Sequence, residues 1–218
     1  AGRRLQRALF SWLRDNGFVQ LDDSDPCIFY KDCADGERLL IGLYVDNLQI
    51  VHSVSLNADG RGPDGCAYNS LMDALSRDWE VVDEGPMEDL LGIEVQRNAD
   101  GSITLHQAKY IARLVAEFLP DGPSNKVQRN TLPYSDAFLP RVNAALSQSA
   151  CEYPDLVRPM QRRLGCLLYA ATSTRCDIVY AVNQLCQCMH KPTPDVMREV
   201  DHLLAYLSRH AAVGLTYS

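Results

Sequence analysis

An acidic and an amide side chain, Asp46 and Asn47, are adjacent in the sequence, between two apolar segments rich in Leu, Ile and Val. These flanking segments, residues 39–45 and 48–51, predict a β-hairpin with the polar pair at its tip. A carboxylate held at the end of so apolar a hairpin could bind a metal ion. The pair is equally compatible with an ordinary turn, because both residues tolerate left-handed backbone geometry. Both interpretations stay open at the level of the hairpin alone.

Arginines are concentrated on two predicted helices, although the net charge of the chain is −7. The first helix carries Arg3, Arg4, Arg7 and Arg14, and a later one carries Arg158, Arg162 and Arg163. Helical spacing places Arg3 beside Arg7, so each set could form a basic face. A net negative charge argues against a protein that surrounds nucleic acid without sequence preference, because such proteins are normally basic. Solvated helix faces are the alternative interpretation.

The composition is that of a soluble globular protein, with 46% hydrophobic and 22% charged residues over 218 positions. This length allows one large domain or two small ones. No apolar run approaches the ~20 residues of a membrane-spanning helix, so no membrane partner is expected. The eight cysteines are scattered, which favours reduced thiols in an intracellular protein, cytoplasmic or nuclear. The chain starts within a helical pattern and without Met, which suggests a piece of a longer protein.

Three other potential ligand sites are not favoured. The Cys186-x-Cys188-x-His190 cluster has no second ligand pair at zinc-finger spacing. The acids of residues 22–25 lack the spacing and terminal Glu of a calcium loop. Residues 55–66 are rich in Gly and Asp but have no Lys-Ser/Thr ending, so they predict a surface loop and not a phosphate-binding loop.

Periodicity predicts strands in the first half of the chain and helices in the second. The predicted strands include residues 79–82 and a second hairpin, 92–96 with 103–106. Helices are predicted over residues 5–14 and from 107, followed by a long connection over 120–150 and three more helices. The sequence Thr174-Arg175-Cys176-Asp177 is a variant of the capping box. Thr193-Pro194 predicts the start of the last helix.

The polar hairpin and its neighbours resemble a known family. Tyr44-Val45-Asp46-Asn47 is similar to the Tyr-x-Asp-Asp box of reverse transcriptases, with Asn in place of the second Asp. Further landmarks follow the order found in copia-type retrotransposon polymerases: Asp25-Pro26-Cys27-Ile28-Phe29, Leu91-Gly92-Ile93-Glu94, Gln107-Ala108-Lys109-Tyr110-Ile111 and Leu164-Gly165-Cys166-Leu167-Leu168-Tyr169 through Thr174-Arg175-Cys176-Asp177-Ile178. The chain departs from the family at Asn47, at Cys176, where Pro is usual, and in an insertion around residues 55–66.

The resemblance implies an α+β fold, a truncated reverse-transcriptase palm of antiparallel hairpins and helices followed by an α-helical thumb- and connection-like region. The palm would cover residues 1–105, with the surface loop 55–66 inserted. The helical thumb-like region would cover 106–192. The connection would begin within 193–218.

The resemblance also implies the chemistry of nucleotidyl transfer, in which two Mg²⁺ ions activate the attacking oxygen and hold the leaving group. Asp46 is the predicted catalytic and metal-binding residue, and Asn47 is a degenerate, uncharged position. The residues predicted to bind an RNA or DNA primer–template are Arg3, Arg4, Arg7, Tyr44, Val45, Gly92 and Glu94.

We expect this chain to be inactive alone and to bind Mg²⁺ weakly or not at all, unlike an intact relative. In the family, another metal-binding Asp and the nucleotide-binding fingers precede the position of Ala1, so the upstream part of a polyprotein is a possible partner. Two alternatives remain. One is a non-catalytic nucleic-acid-binding module, and the other is a helical protein-interaction domain formed by residues 153–210.

Overall fold

The computed structural model describes residues 2–45, 47–122 and 131–218, apart from the side chains of residues 2, 3 and 35. The chain divides into two compact units, residues 1–87 and 88–218. Each unit contains one antiparallel four-stranded sheet together with helices. The predicted α+β class is therefore confirmed. The division of the chain into palm, thumb and connection stays a prediction. The first observed unit ends at residue 87, 18 residues before the predicted end of the palm at residue 105.

The described residues of the first unit form two α-helices, a short 3₁₀ turn (Ala34–Gly36) and a sheet with strand order β1-β2-β3-β4. The predicted first helix is confirmed, and it ends where Gly17 takes a φ of +81°. The elements are α1 (Gly2–Asp15), β1 (Val19–Leu21), β2 (Asp25–Asp32), β3 (Arg38–Tyr44), β4 (Asn47–His52) and α2 (Ala67–Asp78).

One face of this sheet forms the core of the first unit. Phe29 pairs with Ile41, and Ile41 pairs with Ile50, so these three side chains share a face. Phe29 and Ile41 are fully buried, in a cluster that includes Leu13 of α1 and Leu75 of α2. Alternate residues of β3 lie on the other face.

The second unit combines helices with a sheet whose strand order is β5-β6-β7-β8. The predicted second hairpin is confirmed as β6 and β7. The elements are β5 (Asp89–Leu90), β6 (Ile93–Arg97), β7 (Ile103–His106), α3 (Ala108–Phe118), α4 (Phe138–Leu146), α5 (Val157–Ser173), α6 (Val179–Gln187), α7 (Pro194–Arg209) and β8 (Gly214–Tyr217).

Helix α7 supplies much of the core of the second unit. It begins as the sequence predicts, with the Thr193 side chain accepting a hydrogen bond from the backbone N–H of Val196 and Pro194 in the first turn. Its inner face is fully buried at five apolar positions, Val196, Val200, Leu203, Leu204 and Leu207.

A buried arginine links the end of α5 to the end of α7. The Arg175 side chain has no exposed surface, and it forms two hydrogen bonds to the carboxylate of Asp177, of 2.9 and 2.7 Å. It also donates to the carbonyl of His210, the residue that caps α7, at 2.8 Å. The Tyr206 hydroxyl donates to Asp177 at 2.8 Å, and its ring lies under the guanidinium. We name Arg175, Asp177, Tyr206 and His210 the arginine cluster.

The arginine cluster explains why the predicted capping box is wrong. The Thr174 hydroxyl donates to Gln107 Oε1 at 2.9 Å instead of capping a helix. Asp177 is engaged by Arg175, and a short 3₁₀ turn, Cys176–Ile178, precedes α6.

Two further expectations differ from the structure, and one strand was not expected. Residues 79–82 form no strand, and Val82 is 85% exposed. The predicted connection over 120–150 contains a helix, α4, whose Pro140 lies in the first turn, where proline is tolerated. Residues 123–130 of the predicted connection lie outside the described residues. Strand β8 was not predicted.

Two glycines of the second unit should respond in opposite ways to alanine. Gly165 is exposed in the middle of α5, and an added Cβ would meet no atom within 4 Å. Gly165→Ala should therefore raise the free energy of unfolding by about 1 kcal/mol, because helical glycine carries an entropic penalty. A Cβ on Gly214 would lie 2.1 Å from the Leu105 carbonyl oxygen. Gly214→Ala should lower the free energy of unfolding by about 1–3 kcal/mol. Urea denaturation of both variants checks this, and an equal loss in both would contradict it.

Candidate nucleic-acid interface

The predicted polar hairpin is confirmed as β3 and β4, with Tyr44 paired to Asn47. Asp46 lies outside the described residues, so its predicted catalytic role and its predicted metal binding stay predictions. Val45 adopts a φ of +58°, which is unfavourable for a β-branched residue and costs on the order of 1–3 kcal/mol. Its side chain is 62% exposed. The tip of the hairpin therefore combines an exposed apolar side chain with backbone strain, and strain of this kind is concentrated at functional sites.

The exposed residues of this hairpin lie on the sheet face opposite the core. Ile41 and Leu43 are buried on the core side, so Gly42 and Tyr44 lie on the other side. Tyr44 is 46% exposed, and Asn47, its paired neighbour, is also exposed. An open face that carries an aromatic side chain next to an amide can contact a polar ligand such as nucleic acid.

The arginines of α1 form an exposed basic face. Arg4 and Arg7 are exposed, and neither guanidinium has a carboxylate partner in the part of the chain that the structure describes. Arg14 donates to the Gln20 side chain, which leaves its charge unneutralised. The Arg3 side chain lies outside the described part of the structure.

The second predicted arginine face is largely paired with acids. Arg162 forms an ion pair with Glu117, and Arg163 forms one with Asp201. Both guanidinium groups also lie over the ring of Phe118. Arg158 is exposed. Most of the charge on this face is therefore compensated within the second unit, as in a solvated helix face.

The turn between β5 and β6 contains two residues with left-handed backbone. Leu90 pairs with Ile93, and the intervening Leu91 and Gly92 have φ values of +57° and +79°. Two successive positive φ values are typical of a type I′ turn, which favours Asn and Gly. Leucine at such a position costs roughly 1–2 kcal/mol, and the Leu91 side chain is 50% exposed.

Two tyrosines and an arginine surround this turn. The Tyr169 hydroxyl of α5 donates to the Leu91 carbonyl at 2.5 Å. Its ring lies edge-on to Tyr110 of α3 at 5.2 Å, and the Tyr110 hydroxyl donates to the Cys166 carbonyl at 3.1 Å. Burial raises the pKa of Tyr110 well above its usual value. The Arg113 guanidinium lies 5.7 Å from the Tyr110 ring centroid.

Glu94 is held by internal partners. Its carboxylate accepts a 2.8 Å hydrogen bond from the backbone N–H of Lys109, in the first turn of α3. The Lys109 ammonium lies 3.7 Å away and His106 Nδ1 lies 3.4 Å away. The side chain is only 13% exposed. The observed role of Glu94 is to satisfy the start of α3, where a negative charge is favourable, and its predicted contact with nucleic acid stays a prediction.

The described residues bring no three His, Cys, Asp or Glu side chains together in a group that could hold a metal ion. At the disfavoured zinc cluster, burial raises the pKa of the Cys188 thiol to about 11. A complete magnesium site would need more carboxylates than Asp46, because Mg²⁺ prefers several hard oxygen ligands.

Sequence reasoning did not single out Arg113, Tyr110 or Tyr169 as site residues. Both tyrosines lie within the landmark segments, and Tyr110 and Arg113 are three residues apart on a predicted helix. That spacing places them on one helix face. The hydrogen bond from Tyr169 to Leu91 joins residues 78 positions apart, which periodicity alone does not reveal.

Comparisons with known proteins identify relatives over most of the chain. It is 27% identical over 191 residues to the retrovirus-related Pol polyprotein from transposon TNT 1-94 of Nicotiana tabacum, covering 84% of this chain and 13% of that protein. It is 30% identical over 202 and 203 residues to the retrovirus-related Pol polyproteins from transposons RE1 and RE2 of Arabidopsis thaliana, covering 92% of this chain and 12% of each relative. The chain thus spans only about an eighth of the length of these relatives.

The other comparisons add no fold assignment. No family model matches the chain, and no solved structure matches it. In the described ranges, no helix has both the length and the apolar character that crossing a bilayer requires. The predicted relationship to copia-type retrotransposons is confirmed by the Pol polyproteins.

Proposed function

We propose, from the homology of this chain to the Pol polyproteins of copia-type retrotransposons, that it is the palm-to-thumb portion of a reverse transcriptase and that it binds a primer–template without polymerising alone. The observation that carries the proposal is the β3–β4 hairpin, which presents Tyr44 and Asn47 at the end of an otherwise apolar strand pair. The sequence at this tip is the one that resembles the polymerase box.

The basic face of α1 supports nucleic-acid binding by the first unit. Phosphates attract cations whose charge is not already neutralised, and Arg4 and Arg7 meet that condition among the described residues. The overall charge of −7 opposes non-specific binding, so contact would be restricted to such local faces. Tyr44 and Val45 would contact the nucleic acid through exposed, largely apolar side chains.

The proposed lack of polymerase activity follows from Asn47, together with the upstream metal-binding Asp and the fingers that the resemblance places before the position of Ala1. An amide oxygen can accept a hydrogen bond but does not supply the negative charge that holds a pair of divalent ions. Magnesium binding by this chain alone is accordingly proposed to be weak, with Asp46 as its single contributor from the box. Any further ligands would come from the upstream part of the polyprotein, which is a proposed partner.

A helical protein-interaction domain is the second candidate function. It was predicted for residues 153–210, and the surface that supports it lies just before that range. Leu139 and Leu146 are two turns apart on one face of α4 and are 47% and 42% exposed. Exposed leucines at this spacing are typical of a helix that packs against a partner. The two candidates differ in salt dependence, because an apolar interface releases no counterions.

Fluorescence anisotropy with a labelled RNA–DNA primer–template tests the proposal. Affinity should fall as salt rises from 50 to 200 mM, with a slope of about −3 in log K against log salt for three to four phosphate contacts. The double variant Arg4→Gln, Arg7→Gln should reduce this slope by about 2. Arg77→Gln is the matched control, because Arg77 is exposed in the same unit but paired with Asp78. Undetectable binding at 50 mM salt, or affinity independent of salt, would refute nucleic-acid binding.

A further inference from the structure

Strand β4 forms one edge of the sheet of the first unit, and this edge is open. Among the described strands it lies last in the order β1-β2-β3-β4 and pairs with β3 alone. Alternate residues of an edge strand direct their backbone N–H and C=O groups away from the sheet. In the part of the chain that the structure describes, no backbone hydrogen bond reaches residues 47–52 from outside this pairing. The edge of β4 is therefore free to pair with another strand.

The opposite edge of the same sheet is protected in ways that β4 is not. Strand β1 has only three residues, and its register shifts between Gln20 and Leu21. Short strands, bulges and charged side chains are the means by which proteins protect sheet edges. Strand β4 has six residues in continuous register, with no Asp, Glu, Lys, Arg or Pro, and its Val51 is 58% exposed. An uncharged, apolar edge of this kind is suited to pairing with another chain.

The side chains of β4 divide between the two faces of the sheet. Leu48 pairs with Leu43, and Ile50 pairs with Ile41, so Leu48 and Ile50 lie on the core side. Both pack against the core of the first unit but are only half-buried. Gln49 lies between them on the open face of the sheet. Leu48 and Ile50 would therefore become more buried if the sheet continued beyond β4.

We infer that β4 is an interface for a second copy of this chain, which pairs with it in antiparallel orientation about a two-fold axis perpendicular to the sheet. Such an axis brings identical surfaces together and keeps the core faces of both sheets on the same side. With Gln49 opposite Gln49 of the second copy, Leu48 lies opposite Ile50 of the second copy. Two apolar cross-strand pairs then extend the core across the interface. No like charges meet, because β4 has no acidic residue, lysine or arginine.

The open edge fits a second β4 strand better than a charged or irregular one. The occupant needs apolar side chains on one face, uncharged side chains on the other and a regular backbone, and β4 itself has all three. Pairing of two β4 strands uses both open edges and leaves β1 at each end of the combined sheet. Because β1 is short and irregular, the assembly ends at two copies. This inference does not depend on the proposed nucleic-acid binding.

Sedimentation velocity of the full chain tests the inference at micromolar to millimolar concentrations, the range in which open edges associate. The wild-type mass should rise with concentration toward twice that of one chain. Gln49→Lys and Gln49→Glu each place like charges opposite one another and should raise the dissociation constant of the dimer roughly fivefold. An equimolar mixture of the two variants pairs opposite charges and should return this constant close to the wild-type value. Mixing would not repair a loss of stability.

Matched controls place the same charges on the other edge of the sheet. Val19 lies on β1 and is 51% exposed. Val19→Lys and Val19→Glu change the net charge of the chain by the same amounts as the two Gln49 variants. Both should dimerise like the wild type, and mixing them should have no effect. Amide hydrogen exchange should slow with rising concentration in residues 47–52 and stay constant in residues 19–21.

Each contrary result identifies which part of the inference is wrong. A wild-type chain that stays monomeric over this concentration range would overturn it and leave the edge to a strand of another protein. A dimer that tolerates Gln49→Lys as well as Val19→Lys, or that mixing does not restore, would exclude β4 as the interface. Assemblies larger than two copies would overturn the two-fold pairing. Failure to bind the primer–template would overturn the proposed function and leave this inference intact.

Discussion

Replacing Asp177 by alanine should lower the free energy of unfolding of the second unit by about 3–5 kcal/mol. The reason is that Arg175, which has no exposed surface, would keep its charge but lose both hydrogen bonds to a carboxylate. Its remaining partners, the His210 carbonyl and the Tyr206 ring, carry no negative charge. Urea denaturation followed by circular dichroism measures the loss.

An exposed ion pair supplies the control for this variant. Asp195 pairs with Arg198, and both side chains are more than half exposed, so Asp195→Ala should cost no more than about 1 kcal/mol. Both tryptophans, Trp12 and Trp79, lie in the first unit, and their fluorescence follows that unit separately. A loss below about 1 kcal/mol for Asp177→Ala would mean that Arg175 finds other compensation.

The same carboxylate should make the second unit sensitive to acid. Burial alone would raise the pKa of Asp177, but hydrogen bonds from Arg175 and Tyr206 outweigh it and lower the pKa below its ordinary 3.8. A lowered pKa in the folded state means that the stabilisation is complete above about pH 4 and is lost as the pH falls through the folded-state value. The stability difference between the wild type and Asp177→Asn should therefore shrink below pH 4. A constant difference between pH 7 and pH 3 would contradict this.

Primer extension by the purified chain should be undetectable, and Asn47→Asp alone should not restore it. Losing one electrostatic contact with the transition state lowers the rate ~10²–10³-fold, and Asn47→Asp could restore one such contact. The resemblance, however, places another metal-binding Asp and the fingers before the position of Ala1, outside these 218 residues. Orienting the reactants is worth on the order of 7–11 kcal/mol, so restoring one ligand cannot replace those parts.

The assay uses a poly(rA) template with a DNA primer and either Mg²⁺ or Mn²⁺. Binding of the same primer–template is measured in parallel, so that a lack of extension is not mistaken for a lack of binding. Asp46→Ala is the matched control. Extension by either form that disappears in Asp46→Ala would show that this chain contains a sufficient active site.

Local patterns predicted the elements whose stabilising contacts are local. The β3–β4 hairpin follows from two apolar segments around a short polar break, and the start of α7 follows from Thr193 and Pro194. Thr174 and Asp177 show the limit of such patterns, since their side chains bind Gln107 and Arg175 instead of helix amides. A buried arginine outcompetes a cap because an unpaired buried charge is more costly than an unsatisfied amide.

Long-range contacts account for most of what the sequence did not reveal. The segment at residues 79–82 has strand-like composition, but Trp79 packs edge-on against Trp12 instead of joining a sheet. Helix α4 was not predicted because of Pro140. Proline is compatible with the first turn of a helix but breaks a helix in its interior, and the sequence alone did not show which position Pro140 has. At the candidate site, the hairpin tips were predictable, whereas the contact of Tyr169 with Leu91 depends on how α5 packs.

The pairing of β7 with β8 has a consequence for how the chain folds during its synthesis. His106 pairs with Gly214 and Ile103 with Tyr217, so the outer edge of β7 has no partner until more than a hundred further residues exist. At 5–20 residues per second, this interval is roughly 5–20 s. During that time Ile103 and Leu105 lie on an open strand edge, the kind of surface that pairs with other chains. The edge of β7 therefore stays open until the last strand is synthesised, and the speed of translation sets how long it stays open.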